Sequence, residues 1–539
     1  MRNNGMAGTG STNPVEARPA AGVCRAMTLI VVVALSLTGL FAVQPWTSGP
    51  VAPVGVSLVA SRAPIDASLV GSTAVAPPAP ECVPRSTPVP TGPATEVSST
   101  VVPGSNGRVH DIVLQSPAMG GPVHVDVLVP AGYHPGGSIR YPVLYLLHGA
   151  GGSYQDWVDH GVQHLIDQVS AADHLGPFIT VMPDDGPWGF YTDWYGTNRV
   201  GAGPSTPPPA WSTFDIHELI PWVDAHFPVI AHRRGRAIAG LSMGGFGAMS
   251  YAARYPDLFV AAGSFSGAVD TDLDYPAGPE GLTAASIPLG GGQLDQCIWG
   301  DPLTQDVLWR GADPTALASN LANTSLFVAS GNGLPGPYDN PSNPSTAEDG
   351  AIEGAISLMN QGFTRALRSA HVPYTGYFYG AGTHSWPYWL RDLAHFLPQM
   401  SAAMTDPEPA PPDAPFNFRS IAGSFAAWGW SFTTDHLVTE FTYLNGVTAA
   451  GMEIAGSGHL VVHTPALYRP EARYRVQSVP LRGFASVPGS TQVIRASRSG
   501  TLDFTVDLGP RHRVQQVGFG PAATATWVHT RVTIIRVGG

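Results

Sequence analysis

The apolar positions of the chain fall into two textures. Between residues 110 and 400, short unbroken apolar runs alternate with longer amphipathic stretches. YPVLYLLHG (141–149), FITVMPDD (178–185), RAIAGLS (236–242), LFVAAGSFSG (258–267), SLFVASGNG (325–333) and YTGYFYGAG (374–382) read as strands. Runs of this length, closed by Gly or Pro, suit strands buried on both faces. HDIVLQ (110–115) and VHVDVLVP (123–130) read as an antiparallel opening pair. FDIHELIPWVDAHF (214–227), GGFGAMSYAARYP (244–256) and EGAISLMNQGFTRALRSA (353–370) have helical periodicity. Strands alternating with helices predict a mostly parallel sheet covered on both sides. Beyond residue 416 the pattern changes to short alternating runs, from SFAAWGWSFTT (424–434) to WVHTRVTIIRV (527–537). These predict an all-β sandwich. Trp428, Trp430 and Phe432 alternate, as residues on the inner face of a sandwich do, with a sugar-stacking platform as the alternative.

The segments between these textures set the expected organisation. MTLIVVVALSLTGLFAV (27–43) is uncharged and apolar, and Arg2, Arg18 and Arg25 precede it. A basic stretch before an apolar run is the layout of a secretion signal or an N-terminal membrane anchor. Both readings place the remainder outside the cytoplasm. The expected organisation is a signal or anchor at 1–46, a Pro/Ala/Ser-rich linker at 47–103 and an α/β catalytic unit at 104–403. A Pro-dense linker at 404–415 and a β-sandwich at 416–539 follow.

Composition narrows the function. The chain has 539 residues, a formal net charge of −12 and 12% charged residues, and its 27 basic residues contain no lysine. Without basic clusters, nucleic-acid binding is not expected. Of the three cysteines, Cys24 precedes the apolar run, which leaves Cys82 and Cys297 as a candidate disulfide in an oxidising compartment. No metal-ligand spacing and no dinucleotide fingerprint is present in the sequence, so neither metal nor cofactor is expected.

The chemistry centres on Gly240-Leu241-Ser242-Met243-Gly244, which follows a strand and opens a helix. This G-x-S-x-G arrangement forms a sharp turn that exposes the serine hydroxyl at the carboxyl edge of a sheet. Ser242 is therefore the candidate nucleophile. His384, in a loop after the final apolar strand, is the candidate base by chain order. For the acid, the residues alone leave Asp339, Glu348, Asp349 and Glu353 open. The loop His148-Gly149-Ala150-Gly151-Gly152 suits an oxyanion hole, with Ala150 N–H (or Gly151) and Met243 N–H as donors.

Several stretches resemble the esterase family that includes the antigen-85-type mycolyltransferases, within the α/β-hydrolase superfamily. They are FYTDWY (190–195), GLSMG (240–244), SGNG (330–333), IEG (352–354) and GTHSWPYW (382–389). The resemblance implies an α/β-hydrolase fold. It also implies a triad glutamate about thirty residues before the histidine, the place of Glu353, with Asp339 as fallback. It adds Gly151, Asp193, Trp194 and Trp386 as substrate-binding residues. It implies an acyl-Ser242 intermediate passing a fatty or mycolyl group to a sugar hydroxyl. The oxyanion loop departs from the family's Asp-Gly-Leu-Arg: it lacks the acidic and basic trehalose contacts and looks more like that of general esterases. A secreted carboxylic-ester hydrolase and a non-catalytic envelope-binding protein are the alternatives. Expected partners are an acyl-ester lipid or glycolipid, and envelope polysaccharide through the C-terminal unit.

Overall fold

The computed structural model describes residues 82–198, 207–271, 296–302, 304–405, 415–482, 488–515 and 527–538. The apolar run at 27–43 and the first part of the expected linker lie outside them. Among the described residues no helix is long and apolar enough to cross a membrane.

A nine-stranded sheet forms the centre. Its strands are β2 (Thr95–Val101), β3 (Val109–Ser116), β4 (Gly121–Leu128), β5 (Val143–Leu147), β6 (Ile179–Pro183), β8 (Arg236–Leu241), β9 (Ala261–Phe265), β10 (Ser325–Ser330) and β11 (Thr375–Phe378). β1 (Cys82–Pro84) and β7 (Gly196–Asn198) form a separate antiparallel pair. The sheet order is β11-β10-β9-β8-β5-β6-β4-β3-β2. The six strands from β11 to β6 run parallel, and β4, β3 and β2 close the sheet antiparallel. Strand β5 shows why the apolar runs are unbroken: Val143, Tyr145 and Leu147 enter one core, and Leu144 and Leu146 enter the other. Helices α3 (Met243–Arg254) and α4 (Pro344–Ser369) cover the first face; α1 (Val162–Asp173) and α5 (Trp386–Thr405) cover the second. Helix α2 (Ile220–His226) also packs into the first core.

The chain leaves β5 in one direction to β6 and returns on the other side of β5 to β8. That reversal opens a crevice at the carboxyl ends of β5 and β8, where doubly wound sheets place their sites. The glycine loop after β5 and Ser242 after β8 both lie there.

One expectation is corrected. The segment read as linker up to residue 103 is partly built into the fold: β2 pairs with β3 along the sheet edge, and Cys82 is disulfide-bonded to Cys297 with Cα atoms 5.3 Å apart. Strand β2 is exposed at every residue, so it has no burial alternation to reveal it.

The C-terminal region is two sheets over their own core. β12 (Phe416–Ser420), β15 (Thr442–Thr448), β16 (Gly451–Gly456), β18 (Arg473–Arg482), β19 (Ser490–Arg495) and β21 (Val528–Arg536) make a six-stranded sheet. β13 (Ser424–Ala427), β14 (Trp430–Thr434), β17 (His459–His463) and β20 (Asp503–Asp507) make a four-stranded one. Trp430 and Phe432 are buried between them, on the inner face as predicted. Trp428 instead sits in the turn between β13 and β14, with φ of 54°. It faces the α/β region: its backbone N–H donates to Asp257 Oδ1 (2.8 Å), and the Arg233 guanidinium lies 4.9 Å from its ring centroid.

Candidate active site

The turn from β8 into α3 explains the glycines of GLSMG. A Cβ at residue 240 would come within 2.4 Å of Gly244 O, and one at residue 244 within 2.5 Å of Leu147 O. Only glycine lets the helix begin this close to its own strand and to β5. Ser242 occupies φ 52°, ψ −118°, a costly conformation for a side chain, and its hydroxyl is half-buried beside the crevice.

His384 Nε2 lies 2.9 Å from Ser242 Oγ, and its Nδ1 lies 2.7 Å from Glu353 Oε2. Glu353, on α4, is fully buried. Its other oxygen accepts the Ser266 hydroxyl (2.8 Å) and the Gly331 N–H (2.7 Å). Three donors thus compensate a carboxylate taken out of water. With Oε1 occupied, Oε2 is left for Nδ1–H, so Nε2 carries the lone pair facing Ser242. The edge of the His384 ring meets buried Trp389 at 4.9 Å.

The other carboxylates weighed as acids make no hydrogen bond to the His384 ring, whose nitrogens bond Glu353 and Ser242. Asp339 accepts from Thr383 Oγ1 (2.5 Å), Tyr388 O–H (2.7 Å) and Gly336 N–H (2.7 Å), which brace the histidine loop. Asp349 accepts the His384 backbone N–H through its carbonyl (3.1 Å), and burial pushes its carboxyl up to about 6. Glu348 is half-exposed on α4.

Of the oxyanion candidates, Gly151 N–H is taken by Pro187 O (2.7 Å). Among the described residues no carbonyl takes the N–H of Ala150, and Met243 is the first residue of α3, where N–H groups lack an intrahelical partner. A Cβ at residue 149 would lie 2.5 Å from Leu241 Cδ1 and 3.4 Å from Ser242 Cβ, so a side chain there would require the Leu241 side chain to shift. Buried His148 braces this loop. Its Nδ1 bonds Gly149 O (2.9 Å), Nε2 accepts Asp185 N–H (3.1 Å), and burial holds its basicity down. Tyr191 O–H donates to His148 O (2.9 Å) from a residue at φ 49°.

The remaining expected binding residues divide. Trp386 stacks on His160 (3.8 Å, 5°) and edges onto Trp389, one ring away from His384. Asp193 and Trp194 are committed to scaffolding. Asp193 accepts from Thr213 N–H (2.9 Å) and Oγ1 (2.7 Å), and the buried Trp194 indole donates to Gly189 O (3.0 Å). Both line a groove of about 910 Å³ shared with Arg254 and Tyr255, at the end of α3 remote from Ser242, and with Ile421 and Phe425 of the β region. Ser266 was not singled out by sequence reasoning, and Gly331 and Trp389 entered it only inside SGNG and GTHSWPYW, with no role of their own. Their signal was confined to small residues just after strands β9 and β10 and to a tryptophan after His384. Among the described residues no cluster of His, Cys, Asp and Glu could hold a metal ion.

The Esterase family model, described as "Putative esterase", matches residues 116–400, more than half of the chain. The chain belongs to this esterase family. It is 33% identical over 264 residues to a protein of Mycobacterium tuberculosis named an esterase, an alignment covering 48% of this chain and 52% of that one. The chain therefore spans about half the length of that relative. The protein named diacylglycerol acyltransferase/mycolyltransferase Ag85B of Mycobacterium leprae is 32% identical over 266 residues, 48% of this chain and 75% of that one. Ag85A of Mycobacterium tuberculosis is 30% identical over 321 residues, 57% and 86% respectively. The solved structure of MPT51 of Mycobacterium tuberculosis is 26% identical, covering 57% of this chain and 99% of its own, with a TM-score of 0.43. These relatives, an esterase and two diacylglycerol acyltransferase/mycolyltransferases, are named for acyl-ester chemistry.

Proposed function

We propose that this esterase is an exported serine acyltransferase that carries acyl groups on Ser242 to a sugar or related hydroxyl. The observation that carries the reading is the line Ser242 Oγ–His384 Nε2 (2.9 Å), His384 Nδ1–Glu353 Oε2 (2.7 Å) on a strained strand-to-helix turn. In the proposed cycle, Oγ attacks the ester carbonyl while Nε2 takes its proton. The N–H groups of Ala150 and Met243 hold the oxyanion. Collapse expels the alcohol, which receives the proton from Nε2, and leaves the acyl-serine. The acceptor hydroxyl then surrenders its proton to Nε2 and attacks the acyl carbonyl; collapse breaks the bond to Ser242 Oγ, which takes the proton back from Nε2 as the new ester leaves.

Kinship with proteins named mycolyltransferases favours a sugar acceptor and a long acyl chain. Export is supported by the N-terminal basic-apolar pattern and by the Cys82–Cys297 disulfide, a bond of oxidising compartments. A second reading, hydrolysis to free acid, is favoured by the loop His148–Gly151. Its one ionisable side chain, His148, is buried and bonded to Gly149 O and Asp185 N–H, so it offers a sugar no charged contact. The β region is proposed to contact envelope polysaccharide.

The test is product analysis with a long-chain acyl ester, with and without trehalose or glucose, comparing wild type with Ser242→Ala. A Ser242-dependent sugar ester supports transfer. Free acid alone, unchanged by sugar, replaces transfer with hydrolysis. Activity that survives Ser242→Ala, with no labelling of Ser242 by a fluorophosphonate, overturns the serine mechanism.

A further inference from the structure

We infer that Ser266 is a positioning residue, and that its turn, 265–268, fixes the acid and the nucleophile as one unit. The inference rests on the Ser242–His384–Glu353 reading above. Ser266 follows β9, is fully buried, and holds φ 46°. Its hydroxyl donates to Glu353 Oε1 (2.8 Å). The backbone of the same turn grips Ser242 from both sides. Phe265 O accepts Ser242 N–H (2.9 Å), and Ala268 N–H donates to Ser242 O (3.2 Å). Gly267 O accepts Asn360 Nδ2 (3.0 Å), two turns beyond Glu353 on α4. A Cβ on residue 267 would lie 2.1 Å from Ser264 Oγ and 3.0 Å from the Gly245 carbonyl carbon, so the turn is pressed against the first turn of α3.

The left-handed backbone at residue 266 would cost glycine nothing. A serine there is strained, and what it supplies over glycine is a hydroxyl aimed at the acid. With Gly331 N–H it saturates Oε1 and turns Oε2 to His384. Ser266 touches no reacting atom in this arrangement. It acts by holding the carboxylate that orients the base.

The experiment compares Ser266→Gly and Ser266→Ala with wild type and Ser242→Ala on a short-chain nitrophenyl ester. It also follows fluorophosphonate labelling of Ser242 and thermal melting. Glycine keeps the backbone conformation and removes the hydroxyl, so it decides the matter if the alanine variant folds poorly. Both variants are expected to lose about tenfold in kcat with KM unchanged. Labelling should slow in proportion, and Ser266→Gly should keep its melting temperature. Full kcat in Ser266→Gly, with Ser242→Ala inactive, overturns the role of Ser266 and leaves the serine mechanism standing. A raised KM at unchanged kcat overturns it equally. An active Ser242→Ala overturns the mechanism itself, and the inference with it.

Discussion

Replacing Glu353 by glutamine tests the hydrogen-bond logic of the site, because the amide matches the carboxylate in shape and differs only in donor pattern. Glu353 receives three donors, two on Oε1 and His384 Nδ1–H on Oε2. Glutamine has one oxygen. If that oxygen faces Ser266 and Gly331, the NH2 faces His384 Nδ1 and forces its proton onto Nε2, which then donates to Ser242 instead of accepting. The flipped amide sets NH2 against the Gly331 N–H, which can only donate, in a fully buried place, at roughly 1–3 kcal/mol for each unsatisfied group, while the Ser266 hydroxyl can turn to accept. The first orientation therefore wins, and the histidine is held in the wrong tautomer. A comparable acid-to-amide change in a serine protease triad lowers kcat by about 10⁴, or about 5 kcal/mol of barrier. Steady-state hydrolysis of a nitrophenyl ester should show that loss in kcat with KM little changed. Melting should be near wild type, since the swap removes a buried charge while keeping the shape. A folded Glu353→Gln variant within about tenfold of wild-type kcat would refute the reasoning and move the acid elsewhere.

Three further outcomes are expected. Asp126 is buried opposite Asp111 on the paired strand, and burial, aided by repulsion from Asp111 and Asp159, pushes its carboxyl up to about 7. Its folded value exceeds its unfolded one, so wild-type stability should fall as pH rises from about 4 to about 7. Asp126→Asn should lessen that slope, which Asp215 and Asp392, raised to about 8 by burial, also feed, and melting temperature against pH reads the difference. The Cys82–Cys297 bond spans 215 residues of sequence, so reduction or Cys297→Ser should destabilise by up to about 5 kcal/mol, seen as a lower denaturation midpoint. Asn320 Nδ2 donates to Ala253 O (3.1 Å) and Arg419 O (2.9 Å), and its Oδ1 accepts Arg419 N–H (3.0 Å), tying β12 to the α/β region. Asn320→Ala should lower the melting temperature by leaving these groups unpaired, about 1–3 kcal/mol, with kcat retained.

What was legible in the sequence follows from how each residue is constrained. GLSMG could be read because steric contact at Gly240 and Gly244 dictates residue type at fixed offsets along one strand and helix. Glu353 could not be chosen from the residues alone. It reaches His384 from the interior of a 26-residue helix, where a carboxylate looks like its surface neighbours Glu348 and Asp349. Only the spacing carried by the family resemblance favoured it. The conspicuous FYTDWY stretch suggested ligand contact at Asp193 and Trp194, whereas their polar groups serve Thr213 and Gly189. Ser266 is a lone serine in a turn. Its importance arises from the meeting of β9, β10 and α4, which no local pattern encodes.

The position of the β region limits how it can influence the chemistry. It docks through Trp428 on Asp257 and Arg233, and through β12 on Asn320. The groove it shares with the α/β region reaches Arg254 and Tyr255, at the end of α3 opposite Ser242. Twelve helical residues separate these ends by ~18 Å. A hydroxyl bound beside Arg254 and Tyr255 therefore cannot reach an acyl-serine directly. If the β region holds a polysaccharide, its effect must come from tethering, which raises the local concentration of acceptor chains without adding a contact at the reacting carbonyl. On the proposed acyl-transfer reading, acceptor choice between sugar and water then falls to the surface around His384, where Trp386, exposed Leu334 and exposed Tyr338 lie along the loops bonded to the histidine segment. Shortening the chain after Thr405 would on this argument lower the rate on polymer-bound acceptors while leaving the ratio of transfer to hydrolysis on free glucose unchanged. A change in that ratio would place part of the acceptor site in the β region.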